Sequence, residues 1–264
     1  MKKIFLLIVA FAGMFSAVAQ DKDSAKKKRK EEKRQRINAI IKQEEEGVIK
    51  YRKHFVAGFK LTTDGYGGFI EIARAQSVKR ALLFQLDITE RKHPKEEKLQ
   101  DASGIATPVI YGKLNFFYPV KLGVQQQFLL GNKGNKNGVS ITANAGGGLS
   151  LGLLRPYLVE IDRGGGKYEF IKYTQADSAL FVNLNSIVGG PNLGKGWSQL
   201  EVVPGAYAKT SLRFDYGRYN EMVSAVEVGL TGEFYSKKIP QMIYIKQNQF
   251  FFSAYVSIVF GRRK

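Results

Sequence analysis

The stretch Gln249 to Phe260, QFFFSAYVSIVF, limits the possible folds more than any other part of the chain. Its alternate residues Phe250, Phe252, Ala254, Val256, Ile258 and Phe260 form one wholly apolar face. The opposite face carries Phe251, Ser253, Tyr255, Ser257 and Val259, a mixture of hydroxyls with small and aromatic groups. A period of two held over about a dozen residues makes a long strand, because a helix would scatter the same residues around its surface. One greasy face, one mixed face and enough length to cross a tilted bilayer suit a membrane barrel. A soluble sandwich accommodates such a strand equally well, so the rest of the chain has to decide.

The chain opens MKKIFLLIVAFAGMFSAVAQ, with Lys2 and Lys3 before an apolar run and Ala17-Val18-Ala19 after it. That order predicts a secretory signal peptide over residues 1–19; the apolar run is short for a spanning helix. No later stretch reaches the roughly 20 apolar residues a transmembrane helix needs, so any membrane crossing is by strands. The sequence has no cysteine, which excludes disulfides, thiolate metal sites, cysteine nucleophiles and an acylated lipoprotein cysteine. The formal net charge is +18, and Lys26 to Lys30 read KKKRK. In a cytosolic chain this would suggest nucleic acid. Export argues against that partner and points to lipid A phosphates, peptidoglycan or an acidic envelope protein.

Residues 20–53 form a charge-dense segment, expected to be periplasmic and helical, with Gly47 its one breaker and no proline. Its candidate partner-binding residues are Lys26, Lys27, Lys28, Arg29 and Lys30, with an isoleucine stripe at Ile37, Ile40 and Ile41. A solvated tail is the competing reading, since such composition often stays unfolded.

From residue 54 to 264 the pattern is period two. Phe55, Ala57, Phe59 and Leu61 alternate with polar or small residues, and Asp64-Gly65 gives a hairpin signal. Further strands are expected near Gly67–Gln76, Leu82–Thr89, Leu114–Gly131, Val139–Leu158, Leu200–Tyr216 and Met222–Tyr235, making eight with the last. Arg91–Thr107 is expected as a long polar loop and Asp162–Gly196 as the longest connection. A loop that long is unusual in a compact soluble domain but ordinary outside a membrane barrel. With the amino terminus periplasmic, the even-numbered connections SVK, NKGNKNG and GRYNE are all short, and the long ones fall on the external side. This sorting predicts an all-β fold, an eight-stranded antiparallel up-and-down transmembrane β-barrel.

Placing the apolar faces on lipid sends Lys60, Glu71, Asp87, Lys121, Lys209, Arg213, Asp215, Glu227 and Glu233 inward. Buried charges persist only when paired. An eight-stranded barrel is just wide enough for side chains to fill, so an ionic plug is expected rather than a conducting pore. His54 and His93 fall at a strand start and in a loop, where neither a metal set nor a Ser-His-acid triad can be assembled. GGGLSLG lacks the P-loop lysine and the strand-turn-helix setting. No catalytic residue, metal or cofactor is expected. Met242, Ile243 and Tyr244, in an unusually apolar external connection, and Phe181-Val182 in the long loop are candidate protein contacts, with insertion into the lipid interface as the alternative.

GNKGNKNGVSI, GGGLSLGLLRPY, KTSLRFDYGRYNE, GEFYSKKIPQM and FFFSAYVSIVFGRRK together resemble a family of small outer-membrane barrels from Bacteroidota. The resemblance covers about Tyr51 to Lys264 and implies an eight-stranded barrel with little indication of activity. Other small barrels of that phylum serve as subunits of machines for outer-membrane protein insertion or type IX secretion, an analogy of fold and compartment. The expected function is a non-enzymatic structural or accessory subunit of an envelope complex, in contact with outer-membrane lipid including lipopolysaccharide and with an envelope protein. A small-solute pore and a lipid A-modifying enzyme are the alternatives.

Overall fold

The computed structural model describes residues 29–32, 53–99, 107–133, 138–164, 166–192, 194–217 and 221–263. The chain divides into two units, Met1–Ile49 and Lys50–Lys264. Of the first, residues 29–32 form an exposed helical turn that contains Arg29 and Lys30. The signal peptide, Lys26, Lys27, Lys28, Ile37, Ile40 and Ile41 lie outside the described residues.

The described residues of the second unit carry thirteen strands: β1 (Lys53–Thr62), β2 (Gly65–Ser77), β3 (Arg80–Arg91), β4 (Lys98–Leu99), β5 (Val109–Ile110), β6 (Asn115–Gly131), β7 (Ser140–Pro156), β8 (Leu158–Asp162), β9 (Tyr168–Lys172), β10 (Ile187–Gly189), β11 (Glu201–Asp215), β12 (Met222–Ile239) and β13 (Asn248–Arg263). Eight of them close a barrel in the order β1-β13-β12-β11-β7-β6-β3-β2, every neighbour antiparallel. Closure leaves no barrel edge, because β1 pairs with both β2 and β13. These are the eight strands expected from the alternation; β1, β2, β3, β12 and β13 run a few residues longer than expected, and β6, β7 and β11 fall one or two residues short at one or both ends.

Alternation survives on every wall strand because the two faces meet different surroundings. On β13, Phe250, Phe252, Val256, Ile258 and Phe260 are exposed outward, while Ser253, Tyr255, Ser257 and Val259 are buried inside. The same division puts Phe55, Phe59, Leu61, Ile70, Ile72, Phe84, Ile88, Leu122, Leu149, Leu212, Val228 and Leu230 on a predominantly apolar outer belt, in whose rows Gln126 and Thr210 are polar. A register slip of one residue would exchange these faces. Inside, small residues face large ones. Gly58 pairs with Phe69, and a Cβ on Gly58 would lie 2.6 Å from two carbons of that ring. Gly123 likewise leaves room for the Tyr207 hydroxyl, 2.5 Å from where its Cβ would be.

The barrel has two unlike ends. At one lie the start of β1, the end of β13 and the connections 78–79, 132–139 and 216–221. At the other lie the turn at 63–64 and the connections 92–114, 157–200 and 240–247. The long connections are not plain loops, a correction to the expectation for Arg91–Thr107 and Asp162–Gly196. Strands β8, β9 and β10 form a sheet in the order β10-β8-β9, β4 pairs with β5, and a short helix spans Ser178–Val182. They enclose a core of Val109, Ile110, Tyr157, Val159, Ile161, Ile171, Phe181 and Ile187. The Tyr157 hydroxyl accepts the Ile110 N–H at 2.8 Å, and Gly190 N–H donates to the Thr107 hydroxyl at 2.8 Å, tying the two connections together. The last connection joins them where Ile243 N–H donates to Gly112 O at 2.7 Å and Leu114 N–H to Gln241 O at 2.8 Å. This end is a folded cap.

Candidate functional site

All nine charged residues expected inside the barrel lie there, none more than 5% exposed. Near the terminal end, Arg213 on β11 is held between two carboxylates. Its terminal nitrogens donate to the two oxygens of Glu71, each at 2.8 Å, and its Nε donates to Glu227 at 2.7 Å. Glu227 also pairs with Lys209 at 3.0 Å and accepts the Tyr255 hydroxyl at 2.7 Å. Glu71 takes a further contact from His54 at 3.2 Å. Nearer the cap, Lys60 pairs with Asp87, and Lys121 reaches Asp87 at 3.4 Å and Glu233 at 3.0 Å. The Lys60 and Lys209 ammonium groups both sit over the Tyr255 ring, at 4.7 and 5.0 Å from its centre, which links the two groups of charges through an aromatic bridge. Asp215 pairs with Arg263 and with Lys133 at the terminal mouth.

Several partners were missed by the sequence reading. Arg91, assigned there to a loop, is the last residue of β3 and points inward, paired with Asp64 at 2.5 Å and Glu233 at 3.1 Å. Its place continues the alternation of Gln85, Asp87 and Thr89, which is the signal that identifies it. Arg263 continues the inward row of Tyr255 and Val259 in the same way. His54 opens the inward row of β1. Lys133, in the NKGNKNG turn, carries no such signal. With these included, the interior cations Lys60, Arg91, Lys121, Lys133, Lys209, Arg213 and Arg263 nearly balance Asp64, Glu71, Asp87, Asp215, Glu227 and Glu233. The pairs connect opposite walls, since β11 and β2 stand four strands apart around the ring, as do β3 and β12. This arrangement fills the lumen with cross-wall ion pairs.

In the cap, the last connection divides by residue. Met242 is buried at 8% exposure and bridges to Lys113, so it is not the surface contact expected of it. Ile243 packs against the cap core. Tyr244 alone of the three stands out, 84% exposed with φ 64°, a left-handed backbone unusual outside glycine. Phe181, also expected at the surface, is 1% exposed because it fills the cap core and meets Tyr173 edge-on. Lys113 is buried against Glu96 at 2.5 Å and over the Phe116 ring, and burial pulls its pKa below the usual lysine value. Burial also lowers His93, whose ring Nδ1 accepts the Lys95 N–H at 3.2 Å. On the outer wall beneath the cap, the Arg155 guanidinium stacks over Phe116 at 4.1 Å and Trp197 at 4.9 Å. Among the described residues no group of three or more His, Asp or Glu is arranged to hold a metal ion.

No protein-family model matches the chain, and no curated protein matches it. Among solved structures it is similar to Neisserial surface protein A, with 10% identity, a TM-score of 0.38, and coverage of 80% of this chain and 96% of that one. It is also similar to Ail, the attachment invasion locus protein of Yersinia pestis, with 8% identity, a TM-score of 0.39, and coverage of 81% and 99%. A third is the N-terminal β-barrel domain of Pseudomonas aeruginosa OprF, with 10% identity, a TM-score of 0.32, and coverage of 79% and 96%. At such scores the barrel reading rests on the closed ring of eight paired strands itself.

Proposed function

We propose that this chain is an integral outer-membrane β-barrel without enzymatic activity, acting as a structural or accessory subunit of an envelope complex. Its cap would face outward and its basic amino-terminal segment would meet a periplasmic partner. The membrane reading draws on the outer belt. From Phe250 to Phe260 the outward residues are apolar, a rise of about 33 Å along the strand, or about 25 Å of height at the usual barrel tilt. That is the height of a lipid-facing band. A water-soluble barrel would bury the same aromatic and branched residues.

The accessory role rests on one observation: the lumen is closed by paired charges, while the cap above it is a folded surface with its own core. A solute path would need an open lumen, and a hydrolase would need an aligned nucleophile and base. A platform needs neither. The resemblance to small Bacteroidota barrels belongs to the same proposal, and so does contact with lipopolysaccharide at the outer rim.

The test is affinity purification of the full-length protein from outer membranes in mild detergent, beside a version lacking residues 21–52, which keeps β1 whole. A stoichiometric envelope protein retained by the full-length bait is the expected result, and its loss on truncation would place the contact on the basic segment. A monomer from both preparations, or stepwise conductance in planar bilayers, would overturn the accessory role.

A further inference from the structure

The two rims of the barrel differ in outward charge. At the cap end the exposed charges are mixed: Glu90 accepts the Tyr66 hydroxyl at 2.7 Å, Lys92 sits over the same ring, and Glu201 meets Lys237 at 3.7 Å. At the terminal end the outward charges of four adjacent strands are all positive. Arg262 on β13, Lys53 on β1, Arg74 on β2 and Arg80 on β3 are exposed, and no carboxylate among the described residues pairs with any of them.

These four lie at one level. Arg262 pairs across to Phe55, two residues above Lys53; Lys53 pairs directly with Arg74; Arg74 pairs with Leu82, two residues above Arg80. A tilted eight-stranded wall drops by about one residue per strand when followed at constant height, and the four positions follow that slope. They therefore form a horizontal arc below the apolar belt, in the same outward rows as Phe55, Ile72 and Phe84. Among the described residues, the outward positions of the other strands at that rim are apolar, with Phe128, Leu130, Tyr216 and Met222 exposed, while the exposed Glu221 precedes Met222 and makes no ion pair with the arc. Four cations on adjacent strands, on a wall that faces acyl chains, are placed to receive phosphate oxygens.

We propose that the arc of Arg262, Lys53, Arg74 and Arg80 binds the headgroup of an anionic glycerophospholipid in the leaflet at the terminal end of the barrel. The proposal rests on the membrane reading above and adds a lipid class and a leaflet to it. Lipid is favoured over an acidic protein because the cations project sideways from the wall rather than from the mouth, where the neighbour is the bilayer.

The test uses the full-length protein in nanodiscs of phosphatidylethanolamine containing one part in ten phosphatidylglycerol or cardiolipin, with retained lipid read by native mass spectrometry. The parent protein should retain the anionic lipid with an enrichment of about tenfold or more over its share of the mixture. The combined variant Lys53→Gln, Arg74→Gln, Arg80→Gln and Arg262→Gln should lose that enrichment. It leaves every interior ion pair intact, so folding, read by heat-modifiable mobility in electrophoresis, should be unchanged. Lys237→Gln with Lys238→Gln at the other rim should keep the enrichment. Equal retention by the parent and the fourfold variant would overturn the proposal. Co-purification of an acidic protein that the fourfold variant alone loses would overturn it in favour of that partner. A parent protein that stays soluble and folded without lipid or detergent would instead overturn the membrane reading beneath it.

Discussion

Replacing Arg213 with methionine should remove the most heavily used cation of the lumen. The guanidinium makes two bonds of 2.8 Å to Glu71 and one of 2.7 Å to Glu227, and both carboxylates are fully buried. Taking away one partner of a buried pair costs about 3–5 kcal/mol, because the remaining charge has lost its solvation and its counter-charge together. The two carboxylates are not left equal. Glu227 keeps Lys209 at 3.0 Å and the Tyr255 hydroxyl at 2.7 Å, whereas Glu71 keeps only the His54 contact at 3.2 Å. Arg213→Met should therefore lower stability by about 3–5 kcal/mol, and adding Glu71→Gln should restore all but about 1–2 kcal/mol, since a neutral amide needs no counter-charge. Adding Glu227→Gln should restore much less. Urea unfolding of protein inserted in lipid vesicles, followed by heat-modifiable mobility and by circular dichroism, measures all three variants against the parent. A cost for Arg213→Met below about 1 kcal/mol would mean that water replaces the guanidinium, and the closed-lumen argument would fail with it. Equal rescue by Glu227→Gln would sink the assignment of the penalty to Glu71.

Three further outcomes follow from the same contacts. Gly58→Ala puts a methyl carbon 2.6 Å from the Phe69 ring and should cost about 1–3 kcal/mol in the urea assay, with Phe69→Leu in the same chain recovering most of it. Phe181→Ala should empty the cap core and make residues 162–200 cleavable by protease while the barrel's heat-modifiable mobility stays as in the parent; loss of both would mean that cap and wall fold as one. His93 has its pKa held below 6.5 by burial, so the unfolded cap binds more protons than the folded one just below that value. Cap stability should then rise with pH through this window and fall on acidification, seen as faster amide exchange in residues 92–99 at pH 5.5 than at pH 7.5 after correction for intrinsic rates, and His93→Gln should flatten the difference.

The wall was legible in the sequence because each of its strands has the same two surroundings along its whole length. A period of two then repeats long enough to read, as in Leu82, Phe84, Leu86 and Ile88 against Leu83, Gln85, Asp87 and Thr89. The inward charges came with it, since parity alone assigns them. Arg91 was lost only because a charged residue at a strand end resembles the start of a polar loop. The cap was not legible for a different reason. Its core draws Val109 and Ile110 from one connection and Val159, Ile161, Ile171, Phe181 and Ile187 from another, in strands of two to five residues and, for Phe181, a helix of five. Runs that short show no period, and the contact that buries Phe181 is formed by residues distant in the chain. Met242 and Tyr244 show the same limit two residues apart: one is buried by its bridge to Lys113 and the other stands exposed, a difference that no local pattern carries.

The lumen and the cap bear on function together. Backbone ladders tie each wall strand only to its neighbours, so a barrel held by ladders alone can flatten. The pairs Arg213 with Glu71 and Arg91 with Glu233 span the full width, from β11 to β2 and from β3 to β12. Lys121 with Glu233 and Lys209 with Gln85 cross at nearly the same span. Struts in these directions fix the cross-section and keep the cap-end mouth, where Arg91 meets both Asp64 and Glu233, from changing shape. A barrel that fills its interior with struts and places a small folded core on top has the construction of a rigid pedestal. Under the accessory role proposed above, the surface of the cap is where such a pedestal would present a partner-binding site.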